Sequence, residues 1–386
     1  MGHLSLLHPL LSLSLSLSLW PTPTSRLHRI DPATLFYPTG SPQPADPAAI
    51  NDSAPAPGRL PAPTISFDWP CKPHQSGWMD FMAFKNNIIA VDHEGRTLLY
   101  DTASRAVRAL NPMQPPLRSY NIFVTVGDSL YVMASEAGLG SRLIWFHALI
   151  YGQPPDFIGQ QDWYWRPLDL PCFDYEGAHY KSDLPHSDYD SDADEDWNAD
   201  YTDSADDTNT NESPHPCAIC AYTVVGNSQI WVSTLGAGTY SFDIVSGTWS
   251  KVGMWVLPFR GRAVYVPEHN LWFGFSDKDD QLCAVDLALT QPVLQKVLED
   301  PPLPEACSPM ASHLLHLGSG KLCVQRLFQK TQQGSLLQSV PSDEKDEGFA
   351  VLAGVEVRRD DGIGDLQMIK HKSMHYGFDE NGVKLL

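Results

Sequence analysis

The chain has 386 residues, enough for one large β domain or two ordinary ones, and a hydrophobic content of 42% can supply a core. The net charge of −20 leaves no basic stripe to follow a phosphate backbone, so nucleic-acid binding is not expected. No uninterrupted apolar run reaches the roughly 18 residues of a membrane-crossing helix, so no membrane span is expected either.

Residues 1–62 read as a low-complexity leader followed by a linker. Leu4–Trp20 alternates Leu with Ser, lacks a Lys or Arg ahead of it and has no small-x-small cleavage site. Two readings stay open: a signal peptide, or a leader from a misplaced start codon. The expected location is cytoplasmic or nuclear, with secretion as the alternative. Pro, Ala and Ser dominate Thr39–Pro63, a composition that cannot pack a core. Between leader and linker lies an apolar island, Leu27–Pro38, expected to dock on the main body as a strand or a peptide.

The body, 63–378, is built on one repeated phrase. Phe84–Val107 and Val225–Trp249 each show a tight polar turn and an apolar strand. A second strand then ends in aromatic-Asp, followed by a turn containing Ser. The turn-plus-strand half recurs at Val126–Val132, Pro267–Phe273 and Leu317–Val324. Gly, Asn and Asp at these turns suit the positive φ of tight hairpins, and the flanking β-branched and aromatic residues suit buried strands. The aromatic-Asp ends recur as Tyr100-Asp101, Phe242-Asp243 and, with Val, Val285-Asp286. Asp243 and Asp286 are 43 residues apart, a propeller-blade period. The expectation is an all-β propeller of six blades, with five as the alternative. A generic β-sandwich is the bland reading. The helical periodicity is poor throughout, Thr290–Glu299 being the best short candidate. Leu366–His371 reads as a strand that could close the ring.

One stretch breaks the repeat. Asp174–Glu212 holds fourteen acids against one base, Lys181, so −13 of the −20 lies there. It is expected to be a disordered acidic insertion within the propeller. Inside it, Asp188, Asp190, Asp192 and Asp194 start like a calcium loop, but Ala193 and Ala199 stand where Gly and Glu are required. Just beyond, Cys217 and Cys220 form Pro-Cys-x-x-Cys without the His-x-Glu partner of zinc deaminases. Gly236–Thr239 and Gly138–Arg142 are turns without a following helix, so neither is a phosphate cradle. The seven cysteines are odd in number and scattered; Cys283 and Cys323 fall in strands and read as buried thiols. No catalytic, metal or cofactor residue is assigned. Asp101, Asp243 and Asp286 recur at one blade position and are read as turn caps.

The phrases at Leu27–Pro38, Thr97–Val107 and Ser228–Pro258, above all SQIWVSTLGAGTYSFDIVSGTWSKVG, resemble a plant family catalogued as domain of unknown function 1668. That family is expanded in grasses and kelch-like. The resemblance covers most of 27–378 and implies a β-propeller with no activity to carry over. Kelch repeats proper carry Gly-Gly where this chain has Asn86-Asn87, Gly127-Asp128 and Gly226-Asn227. No Leu-Pro-x-Asp-Leu pattern in 1–62 suggests an F-box. The expected function is a non-catalytic scaffold for a protein partner, a basic one if the acidic insertion contacts it. A sugar- or small-molecule-binding propeller, with or without catalysis, is the alternative.

Overall fold

A computed structural model describes residues 13–18, 24–38, 58–68, 79–116, 121–135, 145–155, 159, 161–173, 218–289, 291–298, 307–330, 347–359, 366–379 and 383–385. The acidic insertion 174–212, His215, Cys217, most of Leu4–Trp20 and Gly138–Arg142 lie outside them.

Strands dominate, in a strict order. The chain begins with β1 (Leu13–Ser18), β2 (Thr24–Ile30) and β3 (Pro63–Asp68). The second unit is β4 (Met79–Phe84), β5 (Asn87–Asp92), β6 (Thr97–Asp101) and β7 (Val107–Leu110). The third is β8 (Asn121–Val126), β9 (Ser129–Ala134), β10 (Phe146–Gly152) and β11 (Asp162–Pro167). The fourth is β12 (Ile219–Val225), β13 (Gln229–Thr234), β14 (Gly238–Asp243) and β15 (Thr248–Gly253). The fifth is β16 (Arg260–Val266), β17 (Leu271–Phe275), β18 (Leu282–Asp286) and β19 (Val293–Leu298). The sixth is β20 (Cys307–Gly318), β21 (Lys321–Lys330), β22 (Glu347–Arg359) and β23 (Leu366–Asp379), and β24 (Val383–Leu385) follows.

Each unit is an antiparallel meander in chain order. The fourth and fifth merge into one eight-stranded sheet because β12 and β16 pair in parallel. The first unit takes its fourth strand from the far end of the chain: β24 pairs with β1, Leu15 facing Leu385 and Leu17 facing Val383. The chain is thus tied into a ring by its two ends.

The core confirms the ring. One apolar cluster joins Leu27 and Phe67 of the first unit to Phe81 and Ile88 of the second. Others link second to third through Phe84 and Trp145, third to fourth through Phe146 and Phe242, and fourth to fifth through Ala221 and Trp272. Fifth meets sixth through Phe273 and Leu322, and sixth meets first through Leu352 and Leu35. Sheets that bury both faces against neighbours explain the near-continuous apolar strands, such as the buried run Leu271–Phe275. This succession of antiparallel meanders packed face to face around a ring is a β-propeller.

Three expectations change. Residues 13–18, read as leader, are a strand of the closing sheet, so the propeller begins before residue 63, and the island docks there through β2 as one of its two expected forms. Ring closure uses β24, whereas the strand read at Leu366–His371 is the outermost strand of the sixth unit. Thr290–Glu299 contributes no helix: Val293–Leu298 pairs with β18, and cross-strand packing overrides a weak local periodicity.

Candidate interaction face

The strands nearest the ring centre run side by side in one direction. Besides the β12–β16 pairing, Asn121 Nδ2 donates to Asp80 Oδ2 at 3.0 Å where β8 and β4 begin. Near their ends, Thr125 Oγ1 donates to the Ala83 carbonyl at 3.2 Å. Because each unit is a meander, its connections sort onto two faces. The links between units, and those between second and third strands, leave one face; the remaining turns leave the other.

The turn face carries the repeated phrase. The first-to-second-strand turns use positive φ at Gly127 (57°), Asn227 (58°) and Asn270 (54°), as the residue types require, but also at Lys85 (55°) and Ser319 (53°). The aspartates lie at the third-to-fourth-strand turns. Asp101 accepts from the N–H groups of Ala103 and Ser104, Asp243 from those of Val245 and Ser246, and Asp286 from that of Ala288. Hydrogen bonds from Ser104, through its side chain first, and from Ala103 hold the Asp101 carboxyl below its ordinary value. The Ser246 and Val245 N–H groups do the same for Asp243. All three are turn caps, as their recurrence implies.

The opposite face carries the inter-unit links and the second-to-third-strand connections. Residues 168–218 join β11 to β12 there, so the −13 stretch departs from and returns to this face. Its return is anchored by the Ile219 N–H, which donates to the Ser135 carbonyl at 2.7 Å.

Several buried polar groups hold this face in shape. Ser233 Oγ and Thr239 Oγ1 lie 2.8 Å apart, Thr239 donates to the Trp255 carbonyl, and Leu257 N–H donates to Ser233 Oγ. This clamps the link 254–259 onto the β13–β14 hairpin and stands Trp255 against Trp231, ring centroids 5.9 Å apart. The Gly236–Thr239 turn is thus a structural corner. At Gly238 φ is 86°, and a Cβ would meet the Gly253 carbonyl oxygen at 2.4 Å. Leu235 and Met254 are exposed on either side of it. Between the fifth and sixth units, Asp280 accepts from Arg326 Nη1 at 2.8 Å and from Ser312 Oγ at 2.7 Å. Arg260 and Arg262 are exposed on β16, with Tyr222 opposite Arg262 in register.

Cys220, the described member of the Cys-x-x-Cys pair, donates to the Ser233 carbonyl at 3.3 Å, and burial raises its thiol pKa. Burial pushes Cys283 and Cys323 up to about 12, as their strand positions suggested. Among the described residues no group of three or more His, Cys, Asp or Glu side chains is placed to hold a metal ion. The sequence reading missed the Asp280–Arg326 latch and the Arg260, Arg262 pair. No local signal marks the latch, since its partners belong to different units, whereas Arg260 and Arg262 are adjacent in sequence as Arg-Gly-Arg.

The ring of antiparallel meanders defines the chain as a β-propeller. The chain belongs to the family described as protein of unknown function (DUF1668), whose model matches residues 13–376. No curated protein matches it. Among solved structures it is similar to a streptogramin B lyase, at 9% identity over 77% of this chain and 87% of that one, TM-score 0.33. It is also similar to the dihydro-heme d1 dehydrogenase NirN, at 11% identity over 95% and 75%, TM-score 0.35. A third is the Cps50 (Swd1) β-propeller domain of Myceliophteria thermophila, at 9% identity over 76% and 99%, TM-score 0.30. Among the described residues no helix is long and apolar enough to cross a membrane.

Proposed function

We propose that this chain is a non-catalytic, kelch-like scaffold of six blades that presents the face bearing its inter-unit links to a protein partner. The observation that carries the reading is the placement of residues 168–218. The most charged stretch of the chain is inserted between two units on the face that also gathers the other inter-unit links. Loops held by a rigid scaffold are where binding surfaces are built. A segment of −13 would steer a basic partner toward that face and speed its capture at low salt.

The test compares the full chain with a variant lacking 174–212, each used to capture partners from native extract at low and high salt. Salt-sensitive capture that weakens on deletion supports the reading. Capture that is equal for both proteins at both salt concentrations sinks it.

A further inference from the structure

The turn face has a feature that the scaffold reading does not use. After β2 the chain makes a short 3-10 turn, Pro32–Leu35, started by Asp31, whose carboxylate accepts the Ala33 N–H at 2.9 Å. Leu35 is fully buried against the sixth unit, seated over Gly354, where a Cβ would stand 2.5 Å from the Leu35 carbonyl oxygen. The next two residues lie across the sheet. The Tyr37 N–H donates to His371 Nδ1 at 3.3 Å, and His371 Nε2 lies 3.0 Å from Glu356 Oε2. This arrangement calls for the tautomer with its proton on Nε2. Glu356 is in turn paired to Arg358 at 2.8 Å.

The island so docked leaves a groove of about 330 Å³ beside it, open along one side. Pro32, Phe36, Tyr37 and Pro38 form one wall, and Leu317 and Lys321 of the sixth unit the other. Its charge is distinctive. Lys321 Nζ stands 5.0 Å above the Phe36 ring and Lys372 Nζ 5.2 Å from that of Tyr37. Both ammonium groups rest on aromatic faces, and neither is ion-paired with a described residue. The nearby carboxylates are already engaged, Glu356 by Arg358 and His371, Asp31 by its own turn. In a chain of net −20 this is a locally cationic rim around an apolar floor.

We propose that this groove binds an acidic segment of a protein partner, an extended peptide in which carboxylates flank an apolar or prolyl residue. The carboxylate would take the unpaired donors of Lys321. The apolar residue would lie on Tyr37, Leu317 and the two prolines, as extended prolyl peptides lie on aromatic-lined grooves elsewhere. The site is independent of the acidic insertion, whose strand ends lie on the opposite face. Because one wall comes from the first unit and the other from the sixth, an occupant would bridge the seam where the ring closes. It would therefore stabilise the folded chain in proportion to its occupancy.

The experiment uses the full chain and two fluorescently labelled short peptides, one of Leu, Pro and Glu, the other with Gln in place of every Glu. Anisotropy should show the acidic peptide binding more tightly than the neutral one. Lys321→Gln should weaken it about three- to fivefold, the size of an exposed ion pair, and Tyr37→Ala at least as much. Both variants should keep the wild-type circular dichroism spectrum. The acidic peptide should also raise the melting temperature of the wild type, and raise that of Tyr37→Ala less at the same concentration. Equal binding of the two peptides, binding indifferent to both substitutions, or no binding at millimolar peptide would overturn the proposal.

Discussion

Asp101 and Asp243, 142 positions apart, make the same pair of hydrogen bonds. Asp101 Oδ1 accepts the N–H groups of Ala103 and Ser104 at 2.8 and 3.2 Å, and Asp243 Oδ1 those of Val245 and Ser246 at 2.9 and 2.8 Å. Each carboxylate closes the turn between the third and fourth strands of its unit, and each follows a buried aromatic residue, Tyr100 or Phe242. Asp101→Ala and Asp243→Ala should each lower the melting temperature by a few degrees, and the two shifts should add, because the turns belong to different units. Both carboxyls are held below their ordinary value in the folded chain. Their contribution is therefore complete above the unfolded carboxyl value of about 3.9 and fades as pH falls from there through the lower folded value. Melting curves at neutral pH and at pH 3 measure this: the wild-type advantage over each variant should shrink in acid.

Two glycines with similar dihedral signs should respond differently to alanine. Gly238 has φ 86° and no room for a Cβ, whereas Gly127 has φ 57° and open space around the added atom. Gly238→Ala should destabilise by about 3 kcal/mol and Gly127→Ala by about 1 kcal/mol. Urea unfolding of both variants gives the comparison, and equal losses would contradict the packing described at the Gly253 carbonyl.

The Asp280–Arg326 latch makes a sharper claim about charge. Arg326 is mostly buried over the Phe275 ring, and burial acts to lower its pKa while Asp280 opposes this. Asp280→Ala removes the carboxylate that balances the buried guanidinium, leaving the backbone carbonyl of residue 280 as an acceptor for Nη2, and should cost about 2 kcal/mol, with most of that recovered in the double variant Asp280→Ala, Arg326→Met. A double-mutant cycle by denaturant unfolding measures the coupling. Simple additivity of the two single losses would mean the contact is incidental.

Thiol reactivity tests the core directly. Cys172 is exposed, whereas Cys283 and Cys323 are buried with thiols pushed up to about 12. At pH 8 a maleimide should label Cys172 in the native protein and reach Cys283 and Cys323 only when denaturant opens the propeller. Peptide mass mapping of labelled sites distinguishes the cases.

Ring closure can be broken at one backbone position. Ser16 pairs with Lys384 on one side and with Leu27 on the other, so β1 is an interior strand. Ser16→Pro removes a ladder donor and should cost about 3 kcal/mol. If residues 13–18 were a dispensable leader, this substitution and deletion of 1–18 would both leave the melting temperature unchanged.

The legibility of the chain divides along physical lines. Asn227 and Gly127 announce their turns because positive φ is a property of single residues, and Phe242-Asp243 announces a strand end because the cap bonds within three positions. Ser319 and Lys85 occupy the same backbone region without suiting it, so the turns they sit in are set by the strands on either side. Val293–Leu298 reads weakly as helix because its partner strand, β18, enters only through folding. The groove was half legible. The island Leu27–Pro38 is visible as an apolar segment that should dock, but Lys321 and Lys372 lie about 300 positions away in sequence.

By itself the sequence determined that this is a repeating β structure with tight turns, Asp-capped strand ends, buried thiols and one displaced block of negative charge. Those are consequences of local chemistry, read over a few residues at a time. Only the tertiary structure decided that an alternating Leu-Ser stretch closes the ring, and that the strand ends flanking the acidic block lie on the face opposite the N-terminal island. The reason is that strand pairing carries no local label. Leu15 pairs with Leu385 because the last strand completes the first sheet and gives β1 a partner on both sides, and no short-range pattern in either segment names the other.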